Sequence, residues 1–346
     1  MQYDKIILII ITTFVFTTLI TPVIKRVATY IGALDIPNER KVHTKPIPRL
    51  GGLAIYFGFL FGYMLFGSHS VVMNAILIGS FIIILIGSID DVKSVPARYK
   101  LIGEIIAAMV VSIYGGILLK DVSFFGIYLN FGAFSYPLTI LFIVAAINCI
   151  NLIDGLDGLA CGISSIYFLT IAIIASLLKL PFDLEITLSL IMFGCTLGFL
   201  VHNFYPAKIF MGDSGSMFLG YIISIIALLG FKNVTLTSFI IPLLLLAIPI
   251  MDTLFAIIRR LINHKPITAP DKNHLHHQLL KLNISHRSAV LIIYLIDILF
   301  ALASIVYVLK DQVLGIIIYT ILLIIVLILI VKTNIIRGDQ RKEKLK

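Results

Sequence analysis

Long apolar stretches alternate with short polar clusters along the whole chain. A helix needs about 20 apolar residues to cross a bilayer, and the stretches that approach this length cover residues 4–24, 50–67, 71–89, 100–119, 136–150, 158–178, 184–202, 214–230, 237–258, 288–308 and 313–332. This pattern predicts an all-α integral membrane protein with about 11 transmembrane helices. We expect a single polytopic membrane domain over residues 1–346, with the polar motifs between 35 and 288 and a basic tail at 333–346.

The charge distribution predicts how these helices are oriented. Hydrophobic residues make up 60% of the chain and charged residues 13%, against about 25% charged in soluble domains. Most of the 27 basic residues fall in one alternate set of loops and in the tail, which predicts an outside amino terminus and a cytoplasmic carboxy terminus. The net charge of +9 fits this rule together with attraction to anionic membrane lipids, and it also fits a basic mouth around an anionic substrate. A nucleic-acid role is not expected, because the pattern predicts no soluble basic domain to carry it.

Six aspartates occupy polar breaks on the predicted cytoplasmic side. An ionised aspartate at bilayer depth costs about 2.5–3.5 kcal/mol on the translocon scale, so packing alone does not explain such a set. We expect the group to serve a divalent cation and an anionic substrate. Its members are Asp90, Asp91, Asp154, Asp157, Asp213 and Asp252.

The first two cytoplasmic loops combine basic and acidic side chains. In the loop that ends at Gly51-Gly52, prolines favour an extended backbone, and the donors for phosphate oxygens are Arg40, Lys41, His43, Lys45 and Arg49. These charges are alternatively a topology signal on a solvated loop. In Asp90-Asp91-Val92-Lys93, neighbours on a helix point about 100° apart. One aspartate is therefore expected to face a metal or substrate while Lys93 orients the other, the alternative being a solvated helix end.

The third and fourth loops carry amides, carboxylates and aromatic rings. Polar residues recur every three positions at Asn148, Asn151, Asp154 and Asp157, and the glycines at 155 and 158 predict a helix break around a pocket for a sugar, a base or a hard cation. In the segment 203–216, Asp213 or Ser214 is an N-cap candidate. The same helix start is also a potential anion site, where Phe210 and its aromatic neighbours stack on a base.

The fifth loop, 259–287, concentrates histidine and arginine. Its candidates for binding phosphate groups are Arg259, Arg260, His274, His276 and His277. On a helix, His274 and His277 share a face and His276 does not. A zinc site needs a fourth ligand in place, so a pyrophosphate-binding cluster is at least as consistent with the pattern. Asp252 is expected to pair with a cation or to line the same cavity.

Taken together, the loops resemble the bacterial polyprenyl-phosphate N-acetylhexosamine-1-phosphate transferases, the superfamily that includes phospho-MurNAc-pentapeptide translocase. The similar segments follow in order at 40–52, 90–93, 148–160, 211–216 and 274–277, and the segment 269–272 is similar to Gram-positive enzymes that start teichoic acid linkage units. The resemblance implies transfer of a sugar 1-phosphate, GlcNAc-1-phosphate first, from a UDP-amino sugar to undecaprenyl phosphate, with release of UMP. It also implies a bacterial plasma membrane location with a cytoplasmic active site.

The resemblance further implies roles for individual residues. Asp90 and Asp91 are the catalytic pair, and Asp213 with Asp154 holds Mg2+, with Mn2+ as the alternative metal. The loop residues and the resemblance together predict a substrate-binding set of Lys45, Lys93, Asn148, Asn151, Asp157, Phe210, Arg259, Arg260, His274, His276 and His277. The two arginines are included because residues 265–268 depart from the arginine-containing stretch of some relatives. Direct attack of the lipid phosphate and an aspartyl-phosphoryl intermediate both stay open, as does a homodimer. An ion-coupled secondary transporter is the alternative function, although such proteins usually show repeated halves, and this chain shows no repeat.

Overall fold

A computed structural model describes residues 2–37, 45–124, 127–178, 183–230, 240–264, 266, 274–309 and 311–332. The described chain is mainly helical: α1 Gln2–Tyr30, α2 Gly51–Phe66, α3 Val71–Val92, α4 Ala97–Met109, α5 Ser135–Ile153, α6 Leu159–Leu177, α7 Leu184–Asn203, α8 Gly212–Gly230, α9 Ile240–Leu245, α10 Ala247–Ile262, α11 Leu275–Lys281, α12 His286–Leu309 and α13 Gln312–Lys332. A π-helical turn, Val110–Tyr114, continues α4, and the 3-10 turn Gly132–Phe134 precedes α5. Two short antiparallel pairs complete the fold, β1 Leu34–Asp35 with β2 Ile47–Pro48 and β3 Asp121–Phe124 with β4 Ile127–Asn130.

The prediction of a multi-pass all-α membrane protein is confirmed. Among the described residues, 7 helices are long and apolar enough to span a bilayer: α1, α3, α5 with its 3-10 turn, α6, α7, α8 and α12. The helices α2 and α13 supply shorter apolar segments. The predicted stretches 100–119 and 237–258 are divided between α4 and the π-helical turn, and between α9 and α10. The count of 11 spans and the orientation of the termini stay predictions.

The chain forms two compact units, residues 1–240 and 241–346. In the first unit, α8 is the central helix, with buried side chains along almost its whole length, and it packs against α3 and α5. Close approach is possible because glycines face it. A Cβ on Gly87 of α3 would lie 2.4 Å from the Ser214 Cα, and one on Gly52 of α2 would lie 2.1 Å from the Gly215 nitrogen. These contacts bring the start of α8 to the ends of α2 and α3.

The predicted helix break between Asn148 and Ala160 is confirmed. Helix α5 ends at Ile153, and α6 begins at Leu159. Gly158 at the junction has φ of 79°, a left-handed conformation that favours glycine. The break leaves Asp154 and Asp157 in a short connection rather than on a continuous helix.

In the second unit, α12 packs against α13, and α11 lies beside α12. The aromatic ring of Phe300 in α12 contacts that of Tyr319 in α13, with centroids 5.2 Å apart. The predicted single domain over residues 1–346 stays a prediction.

Candidate active site

A backbone junction brings Arg49 to the start of α8. The N–H of Phe210 donates to the Pro48 carbonyl (2.8 Å), and the N–H groups of Gly51 and Gly52 donate to the carbonyls of Phe210 (3.0 Å) and Met211 (2.8 Å). Arg49 and Phe210 form a parallel bridge. The end of the first basic loop and the segment before α8, about 160 residues apart in sequence, are thereby joined.

Asp91 holds the first turn of α8 from the last turn of α3. Its carboxylate accepts the backbone N–H groups of Asp213 (2.8 Å) and Ser214 (3.1 Å), and the Ser214 hydroxyl donates to it at 2.6 Å. Arg49 completes the environment, with a nitrogen 3.2 Å from Asp91 Oδ1. The Asp91 side chain is fully buried. The first N–H groups of α8 are therefore capped from α3, rather than by the local side chains that the sequence offered.

Asp90 points to a different set of partners. Its Oδ1 accepts the Val95 N–H at 2.8 Å and lies 3.5 Å from the Lys100 ammonium. Lys100 donates to Asp213 Oδ2 at 2.7 Å. The Asp213 side chain, 20% exposed, also lies 3.5 Å from Arg49. The cluster thus contains three carboxylates and two cations at one end of α2, α3 and α8.

The prediction that Lys93 orients one of the paired aspartates is wrong. In the described structure, Arg49 pairs with Asp91 and Lys100 pairs with Asp90. Lys93 follows the end of α3 and is exposed. Lys100 comes one turn into α4, where the sequence shows a basic residue at the head of an apolar stretch. That position was the only signal that could have identified it.

Electrostatics within the cluster favour the charged form of Arg49. Burial of the guanidinium disfavours its charge, but the carboxylates of Asp91, Asp213, Asp35 and Asp90 outweigh this penalty and raise the pKa of Arg49. Asp35 contributes from β1, with an oxygen 3.5 Å from the guanidinium. Arg49 is therefore a permanent cation whose planar donor set matches carboxylate or phosphate oxygens.

Two asparagines of α5 connect the cluster to neighbouring helices. The Asn148 amide donates to Glu104 of α4 at 2.6 Å, and the Asn151 amide donates to the Ser216 hydroxyl of α8 at 2.8 Å. Glu104 is buried and lies one helical turn after Lys100. Sequence reasoning missed Glu104, which lies within a predicted span. These bonds place two predicted substrate-binding residues at the boundary of the carboxylate cluster.

The two carboxylates of the α5–α6 connection differ in their environments. Asp157 accepts the Ala207 N–H at 2.9 Å and so holds the segment that leads into α8. Burial, together with the negative charges of Asp213 and Asp91, raises the pKa of Asp154 to about 8. A cation bound beside these carboxylates would favour the charged form of Asp154.

In the second unit, the histidine motif is organised by Asp252 of α10. Its carboxylate lies 2.7 Å from His274 Nδ1 and accepts the Leu275 N–H at 2.8 Å, which caps α11. Asp252 thus lies directly against His274, and its pairing with a cation or its place in a common cavity stays a prediction. Burial lowers the pKa of His276 to about 3, so this imidazole is neutral near pH 7.

The helix-face prediction for the histidines is wrong. The rings of His274 and His276 are parallel, at an interplanar angle of 4° with centroids 5.7 Å apart, and the His276 and His277 centroids are 4.3 Å apart. The reason is that α11 begins only at Leu275. His274 precedes it in an extended conformation, with ψ of 156°. All three rings therefore form one cluster.

The remaining predicted residues have simpler surroundings. Arg259 and Arg260 are buried in the last turn of α10, and Lys45 is exposed before β2. Phe210 is half-buried at the junction with Arg49. Arg40, Lys41, His43, the segment 269–272 and the tail 333–346 lie outside the described residues.

The donor set of the cluster fits a hard divalent cation. Asp90 and Asp213 offer carboxylate oxygens with partial solvent access, and the negative charge of Asp213 contributes to the raised pKa of Asp154. Across the part of the chain that the structure describes, no group of three or more His, Cys, Asp or Glu side chains forms a ready-made metal cage. Magnesium does not require one, because it commonly keeps waters and substrate phosphates beside one or two carboxylates.

Comparisons with known proteins identify chains that are similar in sequence. Residues 73–231, which include Asp90, Asp91 and Asp213, match the model of glycosyl transferase family 4. A Bacillus subtilis (strain 168) protein named "Probable undecaprenyl-phosphate N-acetylglucosaminyl 1-phosphate transferase" is 48% identical over 305 residues, which are 87% of this chain and 85% of the relative.

Two further relatives are more distant. The decaprenyl-phosphate N-acetylglucosaminephosphotransferase of Mycolicibacterium smegmatis is 36% identical over 81% of this chain and 77% of its own length. The undecaprenyl-phosphate alpha-N-acetylglucosaminyl 1-phosphate transferase of Escherichia coli (strain K12) is 30% identical over 83% of this chain and 79% of its own length. The similarity covers most of each protein.

Proposed function

The chain belongs to the polyprenyl-phosphate N-acetylhexosamine-1-phosphate transferases, and from that premise we propose that it transfers GlcNAc-1-phosphate from UDP-GlcNAc to undecaprenyl phosphate and releases UMP. The observation that carries the proposal is the cluster of Asp90, Asp91 and Asp213 with Arg49 and Lys100. Phosphoryl transfer depends mainly on positioning and charge neutralisation, and this cluster offers both.

Asp90 and Asp91 have different roles in this proposal. The Asp91 carboxylate is already occupied by two backbone N–H groups, a hydroxyl and Arg49, so it positions α8. Asp90 has fewer partners and is partly accessible, which suits a general base. It takes the proton of the lipid phosphate, an oxygen of which forms a bond to the β-phosphorus while the bond from that phosphorus to the UMP oxygen breaks.

Arg49 and Lys100 bind phosphate oxygens in the substrate complex. In this structure both side chains contact the Asp213 carboxylate. Phosphate oxygens are also anionic hydrogen-bond acceptors, so they can replace the carboxylate as partners. Asp213, with Asp90 and Asp154 nearby, would hold Mg2+. When bound, the metal supplies neutralisation of the diphosphate charge.

The other predicted residues complete the proposed substrate sites. Asn148, Asn151 and Asp157 line the nucleotide-sugar pocket, with Phe210 stacking on the base. Lys45 and Lys93 attract the phosphates to the site. Arg259, Arg260 and the three histidines of the 274–277 motif bind the pyrophosphate.

The cellular setting is also a proposal. Loop charges support an active site on the cytoplasmic face of a bacterial plasma membrane, and the product would start a cell-wall polymer such as a teichoic acid linkage unit. A homodimer is compatible with the proposal but is not required by it.

The test is UMP release by the purified protein in detergent. We expect release from UDP-GlcNAc only when undecaprenyl phosphate and Mg2+ are both present. Asp213→Asn should abolish Mg2+-dependent turnover while the thermal unfolding midpoint stays near that of the wild type. Release of UMP without added lipid acceptor would refute the transfer reaction. If no UDP-amino sugar gives UMP release, the alternative function, an ion-coupled secondary transporter, is favoured. Turnover that survives in Asp213→Asn would refute the metal assignment alone.

A further inference from the structure

A basic cleft lies at the carboxy-terminal end of α1, apart from the carboxylate cluster. Its volume is about 520 Å³, and it is lined by Pro22, Lys25, Arg26, Thr29 and Tyr30. These positions recur at helical spacing, so they share one face of α1. The Tyr30 side chain is 92% exposed, and aromatic side chains of this kind are enriched where a membrane meets water.

An apolar stripe leads into the cleft along the same outward side of α1. Val15, Leu19 and Val23 are exposed, and Leu19 reaches 68%. Half of a hydrocarbon core about 30 Å thick corresponds to about ten helical residues at 1.5 Å per residue. The stripe from Val15 to the cleft is therefore about as long as one lipid leaflet is thick.

The cations of the cleft lack an acidic partner within the described parts of the chain. None of the ion pairs there involves Lys25 or Arg26, and the nearby Asp35 lies against Arg49. Two adjacent cations above an exposed apolar stripe match a molecule that carries a negative headgroup on an apolar tail.

We propose that this cleft binds the phosphate headgroup of an anionic glycerophospholipid, whose acyl chains lie along the apolar stripe of α1. The side of α1 that carries the cleft and the stripe is exposed, whereas the helix packs against α2 and α7 elsewhere. An exposed face of this kind is open to the bulk lipid of a leaflet. Asp35, five residues after Tyr30, pairs with Arg49, so the bound lipid lies on the same membrane face as the carboxylate cluster. The proposal is independent of the reaction that the cluster catalyses.

The test measures lipid binding to the purified full chain by native mass spectrometry. The protein is titrated in detergent with dioleoyl-phosphatidylglycerol and, in parallel, with dioleoyl-phosphatidylcholine. A basic residue near an anionic lipid contributes about fivefold in affinity. We therefore expect Lys25→Gln/Arg26→Gln to weaken the tightest phosphatidylglycerol site about thirtyfold and to leave phosphatidylcholine binding unchanged.

The matched control is Lys5→Gln/Lys120→Gln, which removes the same charge from two exposed lysines on the predicted opposite face. Unchanged phosphatidylglycerol binding in the first variant, or an equal loss in the control, would overturn the proposal. It is also overturned if undecaprenyl phosphate occupies the cleft more tightly than phosphatidylglycerol and loses the same factor. If the double variant unfolds at a lower temperature, Lys25→Gln and Arg26→Gln are measured singly, with about fivefold expected for each.

Discussion

Replacing Asp91 and Asp90 separately by asparagine tests whether two adjacent carboxylates have different tasks. Asp91 is buried and receives three hydrogen bonds from the start of α8 in addition to the Arg49 contact. Asp90 receives one backbone hydrogen bond and lies 3.5 Å from Lys100. We expect Asp91→Asn to lower stability and Asp90→Asn to lower turnover at nearly unchanged stability.

The magnitudes follow from these contacts. An asparagine at 91 keeps one acceptor oxygen but turns an amide donor toward other donors, and breaking a buried charge pair from one side costs about 3–5 kcal/mol. Arg49 is 26% exposed and regains some hydration, which puts the expected loss for Asp91→Asn near 3 kcal/mol. At position 90, one weakened hydrogen bond costs about 1 kcal/mol. Loss of a general base there reduces turnover by about 10²–10⁴-fold.

Both variants are compared with the wild type by thermal unfolding in detergent and by UMP release under the same conditions. The two measurements separate loss of the fold from loss of chemistry. If Asp91→Asn unfolds at the wild-type temperature, or if Asp90→Asn is the less stable of the two, then Asp91 does not anchor α8.

Three further predictions concern packing, metal binding and pH. Gly87→Ala should lower the unfolding midpoint because its Cβ would meet the Ser214 backbone, whereas Gly230→Ala, with open space around it, should not; equal effects would refute the role of the close contact. Because burial and neighbouring carboxylates raise the pKa of Asp154 to about 8, the apparent Mg2+ affinity in UMP release should increase as pH rises from 6.5 to 8.5, and Asp154→Asn should flatten this dependence. Burial lowers the pKa of His276 from 6.5 to about 3, so its unfolded form binds the proton more readily and stability should fall as pH decreases below 6.5. In thermal unfolding between pH 7 and 4, His276→Leu should show a shallower loss than the wild type, and an identical slope would contradict a neutral, buried imidazole.

Much of the architecture could be predicted from the sequence because the bilayer restricts the choices. Backbone groups without water must bond within their own segment, so apolar runs of sufficient length become helices. The helix break could also be predicted from Gly155 and Gly158, because the left-handed conformation found at Gly158 favours glycine. The order of the polar motifs also indicated the family and marked Asp213 and the aspartate pair.

The partners of those aspartates were decided by tertiary structure. Arg49 reaches the cluster from the segment between β2 and α2, and Lys100 reaches it from α4. Asp91 can cap α8 because the glycine contacts let α2, α3 and α8 approach closely. The His274 ring lies parallel to the His276 ring because α11 begins only at Leu275, so His274 is extended and not helical. Sequence spacing describes which side chains share a face of one helix. It does not describe which face of another helix they meet, because that depends on packing between segments far apart in the chain.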